Sequence, residues 1–161
     1  MTDNSVDVAM LHDGWTLLPP RTSLGAGFGR ESFVARTTGD ALRVAHFVRD
    51  GDNAMVGRAW FGPLCEGPPG HAHGGSIAAV LDDVMGSGAW LAGHRVVAAK
   101  IEVDFKRPVP LLSLCTFESM VERAEGKRVY TRATLTLPNG MVAAASTGLC
   151  IVVDIEKLAG S

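Results

Sequence analysis

One stretch restricts the folds open to this chain more than any other: Gly67-Pro68-Pro69-Gly70-His71-Ala72-His73-Gly74-Gly75-Ser76-Ile77-Ala78-Ala79-Val80-Leu81-Asp82-Asp83-Val84-Met85-Gly86. Its Pro- and Gly-rich start opposes a helical ladder. Paired glycines then lead into the most helix-like pattern in the chain, predicting a helix from about His73 to Leu91 with a stop at Gly93. A glycine-led helix start leaves bare N–H groups at the positive end of the dipole, which suits a phosphate, a carboxylate or an oxyanion. At ~100° per residue, Ile77, Val80, Leu81, Val84 and Leu91 form one apolar stripe. Gly75, Ala79, Asp82, Gly86 and Ala89 lie opposite, so Asp82 is a lone carboxylate among small residues. Asp83 points with Ser76, Ser87 and Trp90, which is read as the solvent side. A lone helical Asp is most often a solvated surface group; the conjunction of glycine-led start, apolar face and small-residue face singles out Asp82.

After the helix comes a strict alternation. Val97, Ala99, Ile101, Val103 and Phe105 face one way, and Ala98, Lys100, Glu102, Asp104 and Lys106 the other. That period of two predicts a half-buried antiparallel strand. Further strands are expected over Leu112–Arg123, Val129–Leu137 and Met141–Val153, the last one central, with turns at Glu125-Gly126-Lys127 and Pro138-Asn139-Gly140. Before the helix, strands are expected at Glu31–Arg36, Leu42–Arg49 and Ala54–Phe61. Residues 1–14 read as a loose leader or short helix, and Asp154–Ser161 as a fraying polar tail. The expected organisation is a leader over 1–28, one domain over 29–155 and a tail over 156–161. One long helix laid on a curved antiparallel sheet is an α+β architecture.

Composition narrows the function classes. The chain has 161 residues, enough for one domain, and its 47% hydrophobic content can fill a core. A formal net charge of -2 opposes a nucleic-acid binder. No apolar run reaches the ~18 residues of a membrane span, and Met1–Leu11 lacks a basic signal-peptide start. Cys65, Cys115 and Cys150 form no zinc or CxxC pattern and read as free thiols of a reducing, cytoplasmic setting. Gly74-Gly75-Ser76-Ile77-Ala78 approaches G-x-S-x-G, but a loop precedes it where a nucleophile elbow needs a strand. His71, His73 and Asp82 make an incomplete metal set, so neither metal nor cofactor is expected.

His73-Gly74-Gly75 followed by Asp82 resembles the hotdog-fold acyl-CoA thioesterase superfamily, nearest to its phenylacetate-pathway and THEM-type branch. Phe61-Gly62-Pro63, Cys65-Glu66-Gly67-Pro68-Pro69-Gly70, Phe105-Lys106-Arg107-Pro108-Val109-Pro110 and Glu125-Gly126-Lys127 extend the likeness over about residues 54–153. The resemblance implies an antiparallel sheet wrapped around one long central helix, a homodimer or dimer of dimers, and hydrolysis of an acyl-CoA. It implies Asp82 as general base or nucleophile, the Gly74 N–H as oxyanion donor, and His73 shaping that site, with Gly75 beside it on the substrate. Gly74 and Asp82 lie ~12 Å apart along one helix at ~1.5 Å per residue, so one chain cannot bring both to one carbonyl. Two antiparallel helices across a dimer axis can. Lys106 and Arg107 are candidates for the coenzyme A phosphates, and Arg95, Lys127 and Arg128 are weaker ones. The sequence departs from many relatives in two places. Ala98 stands where they carry Thr or Ser, and Leu64-Cys65-Glu66-Gly67 where they carry Asn or Gln. A non-catalytic acyl-CoA-binding module and a hotdog dehydratase are the alternatives.

Overall fold

Why one helix can serve a whole sheet follows from where the chain's apolar residues fall. A computed structural model describes residues 6–19 and 32–160. The elements run β1 (Trp15–Leu17), β2 (Leu42–Arg49), β3 (Met55–Phe61), a single 3-10 turn (Pro63–Cys65), α1 (Gly74–Leu91), β4 (Val96–Phe105), β5 (Leu114–Glu125), β6 (Arg128–Thr136), β7 (Val142–Val152) and α2 (Ile155–Ala159). The strands form one antiparallel sheet in the order β1-β2-β3-β5-β6-β7-β4. The chain therefore crosses from β3 through α1 to the far edge, lays down β4, and returns to pair β5 with β3. This is the hotdog fold, with α1 lying along the sheet.

The stripe of α1 packs as its spacing predicts. Ile77, Val80, Leu81 and Val84 are buried against Val44, Met55, Phe61, Phe117, Leu135 and Ala144. Each such side chain contributes about 1.5–3 kcal/mol by leaving water. Leu91 departs from the stripe and is exposed at the helix end. Gly57 permits the close layering at β3, because a Cβ there would meet the Ala45 carbonyl at 2.1 Å and the Phe117 ring at 2.4 Å.

All seven residues of β3 are buried. One face lies under α1; the other, with Val56 and Trp60, packs against Val8 and Phe47. Residues 6–10 are therefore not a loose leader. Arg58, itself buried, donates to the carbonyls of Val8 and Met10 and lies over the rings of Trp15 and Phe47. A buried guanidinium needs such acceptors, and these happen to be the backbone of the N-terminal segment.

Three other expectations need correction. Residues 32–36 of the expected Glu31–Arg36 strand are irregular, with the Ser32 hydroxyl capping the turn at Val34 and Ala35, and Glu31 lies outside the described residues. Gly25, Gly27 and Gly29, whose spacing in the sequence reads as loop, also fall outside the described residues. Asp154–Gly160 does not fray: Asp154 accepts from the Glu156 and Lys157 N–H groups and starts α2. Finally, β4 is the sheet edge, so its apolar face is covered only in its middle. Ile101 and Val103 reach the core, while Val97 is 39% and Phe105 56% exposed. Among the described residues, no helix is long and apolar enough to cross a membrane.

Candidate active site

The loop before α1 is folded tightly enough to aim the helix start. The His73 N–H donates to the Cys65 carbonyl at 2.7 Å, the Gly67 N–H to the His71 carbonyl at 3.0 Å, and the Ala72 N–H to the Val109 carbonyl at 2.8 Å. A side chain at Gly67 would meet the His73 backbone at 2.7 Å, so this approach requires glycine. The Glu66 carboxylate accepts from the Gly70 N–H at 2.7 Å and closes the turn.

His73 caps α1. Its backbone is extended, and its Nδ1 accepts from the Gly75 N–H at 2.8 Å. A ring nitrogen that accepts carries no proton, so neutral His73 presents its N–H at Nε2. The His73 carbonyl takes the N–H groups of Ser76 and Ile77 and the Ser76 hydroxyl. The two glycine N–H groups are thus unequal. Gly75 is satisfied by the cap; the Gly74 N–H has no acceptor among the described residues.

The end of β4 meets this helix start. A Cβ on Gly74 would lie 3.4 Å from the Phe105 ring, so Phe105 packs over it. The next residues, Lys106 and Arg107, both donate their N–H groups to the Ala143 carbonyl and keep exposed side chains. Arg107 also donates from Nη1 to the Val142 carbonyl at 2.9 Å. Lys106 and Arg107 thus follow directly on the strand end that packs over Gly74. Nothing in the sequence signalled that Phe105 would cover Gly74, because the contact depends on how far β4 runs past the helix.

Asp82 lies about two turns further along α1, half-buried. Burial chiefly pushes up the Cys150 thiol on β7, and the charge of Asp82 adds to that rise. Cys150 pairs with Ala98 on β4. Ala98 thus stands one strand from the thiol that senses Asp82, and it is exposed. The other two thiols are also raised by burial, Cys115 to about 12. Three protonated buried thiols are poor nucleophiles.

Asp83 is where the structure overturns the helical-wheel reading. It is 8% exposed, not on the solvent side, and its Oδ2 lies 2.8 Å from Nε2 of His46 on β2. The helix is covered by sheet on that side as well, and a buried carboxylate needs such a partner. Arg95, Lys127 and Arg128 remain exposed away from this site. Among the described residues, no three His, Cys, Asp or Glu side chains converge as a metal site.

Comparison with known proteins covers the same region. The family model described as the thioesterase superfamily matches residues 69–144. Acyl-coenzyme A thioesterase THEM4 of Xenopus laevis is 40% identical over 85 residues, covering 53% of this chain and 38% of that protein. The chain therefore spans well under two thirds of that relative's length. A thioesterase superfamily protein of known crystal structure superposes with a TM-score of 0.64 at 27% identity, over 69% of this chain and 54% of that one. A hypothetical thioesterase protein with coenzyme A from Streptococcus pneumoniae shares the fold at a TM-score of 0.63 and 16% identity, over 74% and 93% of the two chains.

Proposed function

We propose that this chain is a thioesterase of the superfamily whose model matches residues 69–144, and that it hydrolyses an acyl-coenzyme A to a carboxylic acid and free coenzyme A. The observation that carries this reading is the open Gly74 N–H beneath the Phe105 ring, with Lys106 and Arg107 next along the chain and Asp82 on the same helix. The thioester oxygen accepts from Gly74, and the negative charge that develops there is stabilised by the N–H and the helix dipole. Asp82 takes the proton of an attacking water, or attacks the carbonyl itself. The C–S bond then breaks and the departing thiolate is protonated. His73 holds the helix start and offers its Nε2–H to the same end. Lys106 and Arg107 face the phosphates of coenzyme A.

Gly74 and Asp82 cannot reach one carbonyl from one chain, since ~12 Å of helix separates them. The reading therefore includes a homodimer in which each site takes Gly74 from one protomer and Asp82 from its partner. The uncovered apolar ends of β4, at the free edge of the sheet, support a second copy there. A dimer of dimers is compatible with the same edge pairing.

The test is a panel of short, long and aromatic acyl-coenzyme A esters read by free-thiol release, with Asp82→Asn alongside. Turnover in the wild type and its loss in the variant are expected; variant turnover within a few-fold of wild type sinks the assignment. Single-turnover hydrolysis in heavy-oxygen water separates the two roles of Asp82, because only direct attack leaves label in the carboxylate. Ala98, which lacks the hydroxyl that many similar thioesterases carry at that position, favours one second reading: binding of acyl-coenzyme A without turnover. Saturable binding with no thiol released would establish it.

A further inference from the structure

The C-terminal half of α1 carries polar chemistry that the thioester site does not use. Ser87 lies on the Asp83 side of the helix, away from Asp82, and is 4% exposed. Its hydroxyl has no hydrogen-bond partner among the described residues. Leaving a buried hydroxyl unmatched is unfavourable, and such groups are rare. Ser87 also lines a cavity of about 360 Å³, with Leu18, Met55, Trp90 and Leu91 as apolar walls and Arg95 at the rim. Trp90 is fixed there, because its Nε1–H donates to the Val96 carbonyl at 3.1 Å. Arg95 is exposed and has no carboxylate partner among the described residues. The nearest buried carboxylate, Asp83, is matched by His46. A second chamber of about 600 Å³ adjoins, sharing Met55 and Leu91.

We propose that this cavity is a second ligand site, for a small carboxylic acid whose apolar body carries a hydroxyl or carbonyl oxygen. The argument fixes the orientation. A carboxylate is costly to bury and belongs at the solvated rim, paired with Arg95. The apolar body fits the walls, and the volume is within the range of small-molecule pockets. The interior oxygen meets the Ser87 hydroxyl, which can donate or accept. The C-terminal end of a helix dipole disfavours an anion, so the site needs Arg95 rather than the backbone for its charge. The cavity reaches from Met55 on β3 to Arg95, just before the start of β4. The proposal does not depend on the thioesterase reading.

Isothermal titration with 6-hydroxyhexanoate and hexanoate tests it, on the full chain and on Ser87→Ala, Arg95→Gln and Asp82→Asn. The hydroxy acid should bind once per chain and about three- to tenfold more tightly than hexanoate, the worth of one matched hydrogen bond. Ser87→Ala should abolish that difference, Arg95→Gln should weaken both acids, and Asp82→Asn should change neither. Equal affinity for the two acids, a difference that survives Ser87→Ala, or binding lost in Asp82→Asn overturns the proposal. Absence of saturable heat does so too, and leaves water as the partner of Ser87. None of these outcomes alters the thiol-release result for Asp82.

Discussion

Nε2 of His46 sits 2.8 Å from Oδ2 of Asp83, so the second aspartate of the Asp-Asp pair ties α1 to β2 while the first stays only half-buried. Two neighbouring carboxylates on one helix thereby take separate work. The His46 ring is also packed at a tilt on Phe117, with only 12% of its side chain exposed. Truncating Asp83 strands the imidazole. Asp83→Ala should cost about 1–3 kcal/mol of stability, whereas Asp82→Asn should melt close to the wild type. Denaturant unfolding of the two variants checks this; equal midpoints would show that the buried pair holds nothing.

The two-chain site predicts complementation. Gly74 is the first residue of α1, where proline fits and removes only the N–H, and His73 already has the extended backbone that a following proline requires. Gly74→Pro should fold and lose about a hundred- to a thousandfold in kcat, the usual effect of deleting one oxyanion donor. Mixing it with Asp82→Asn should restore activity, because one site of each mixed dimer is then intact. No gain on mixing would place both groups in one chain's site and defeat the model.

Pairing at the β4 edge predicts a link between assembly and turnover. Lysines at Val97 and Ala99 put like charges on the strand that two copies would share. The double variant should sediment as a monomer and lose at least tenfold in turnover. A fully active monomer is the result that would reject the composite site.

Cys115 sets an alkaline limit on stability. Burial raises its thiol from 9.0 to about 12. Below pH 9 the thiol is protonated in both states and stability is unaffected. As pH rises towards 12 the unfolded chain releases the proton while the native chain keeps it, so stability falls, by on the order of 4 kcal/mol at the upper end. Cys65 and Cys150 shift in the same direction. Unfolding midpoints measured between pH 8 and 11 should decline, less steeply in Cys115→Ala. Parallel slopes in the two proteins would assign the decline to other groups.

How much was legible in the sequence varied with the range of the interaction. The helix over Gly74–Leu91 and the strands β2 to β7 were readable because period and turn chemistry are local: alternation at Val96–Phe105 and glycine turns at Gly126 and Gly140 act within a few residues. Residues 32–36 misled because a β-rich composition does not create a neighbouring strand, and α2 was missed because a short capped turn has little periodicity.

By itself, then, the sequence determined one long helix, an antiparallel sheet, and a helix start with Asp82 on a small-residue face. Only the tertiary structure decided which aspartate is buried, which glycine N–H stays open, and which strand is the edge. Helical geometry separates Asp82 from Asp83 by ~100°, but what covers each direction depends on strand order, which places His46 of β2 beside Asp83. Likewise Gly74 and Gly75 are equivalent in sequence, and it is the cap made by His73 that satisfies one and leaves the other for a ligand.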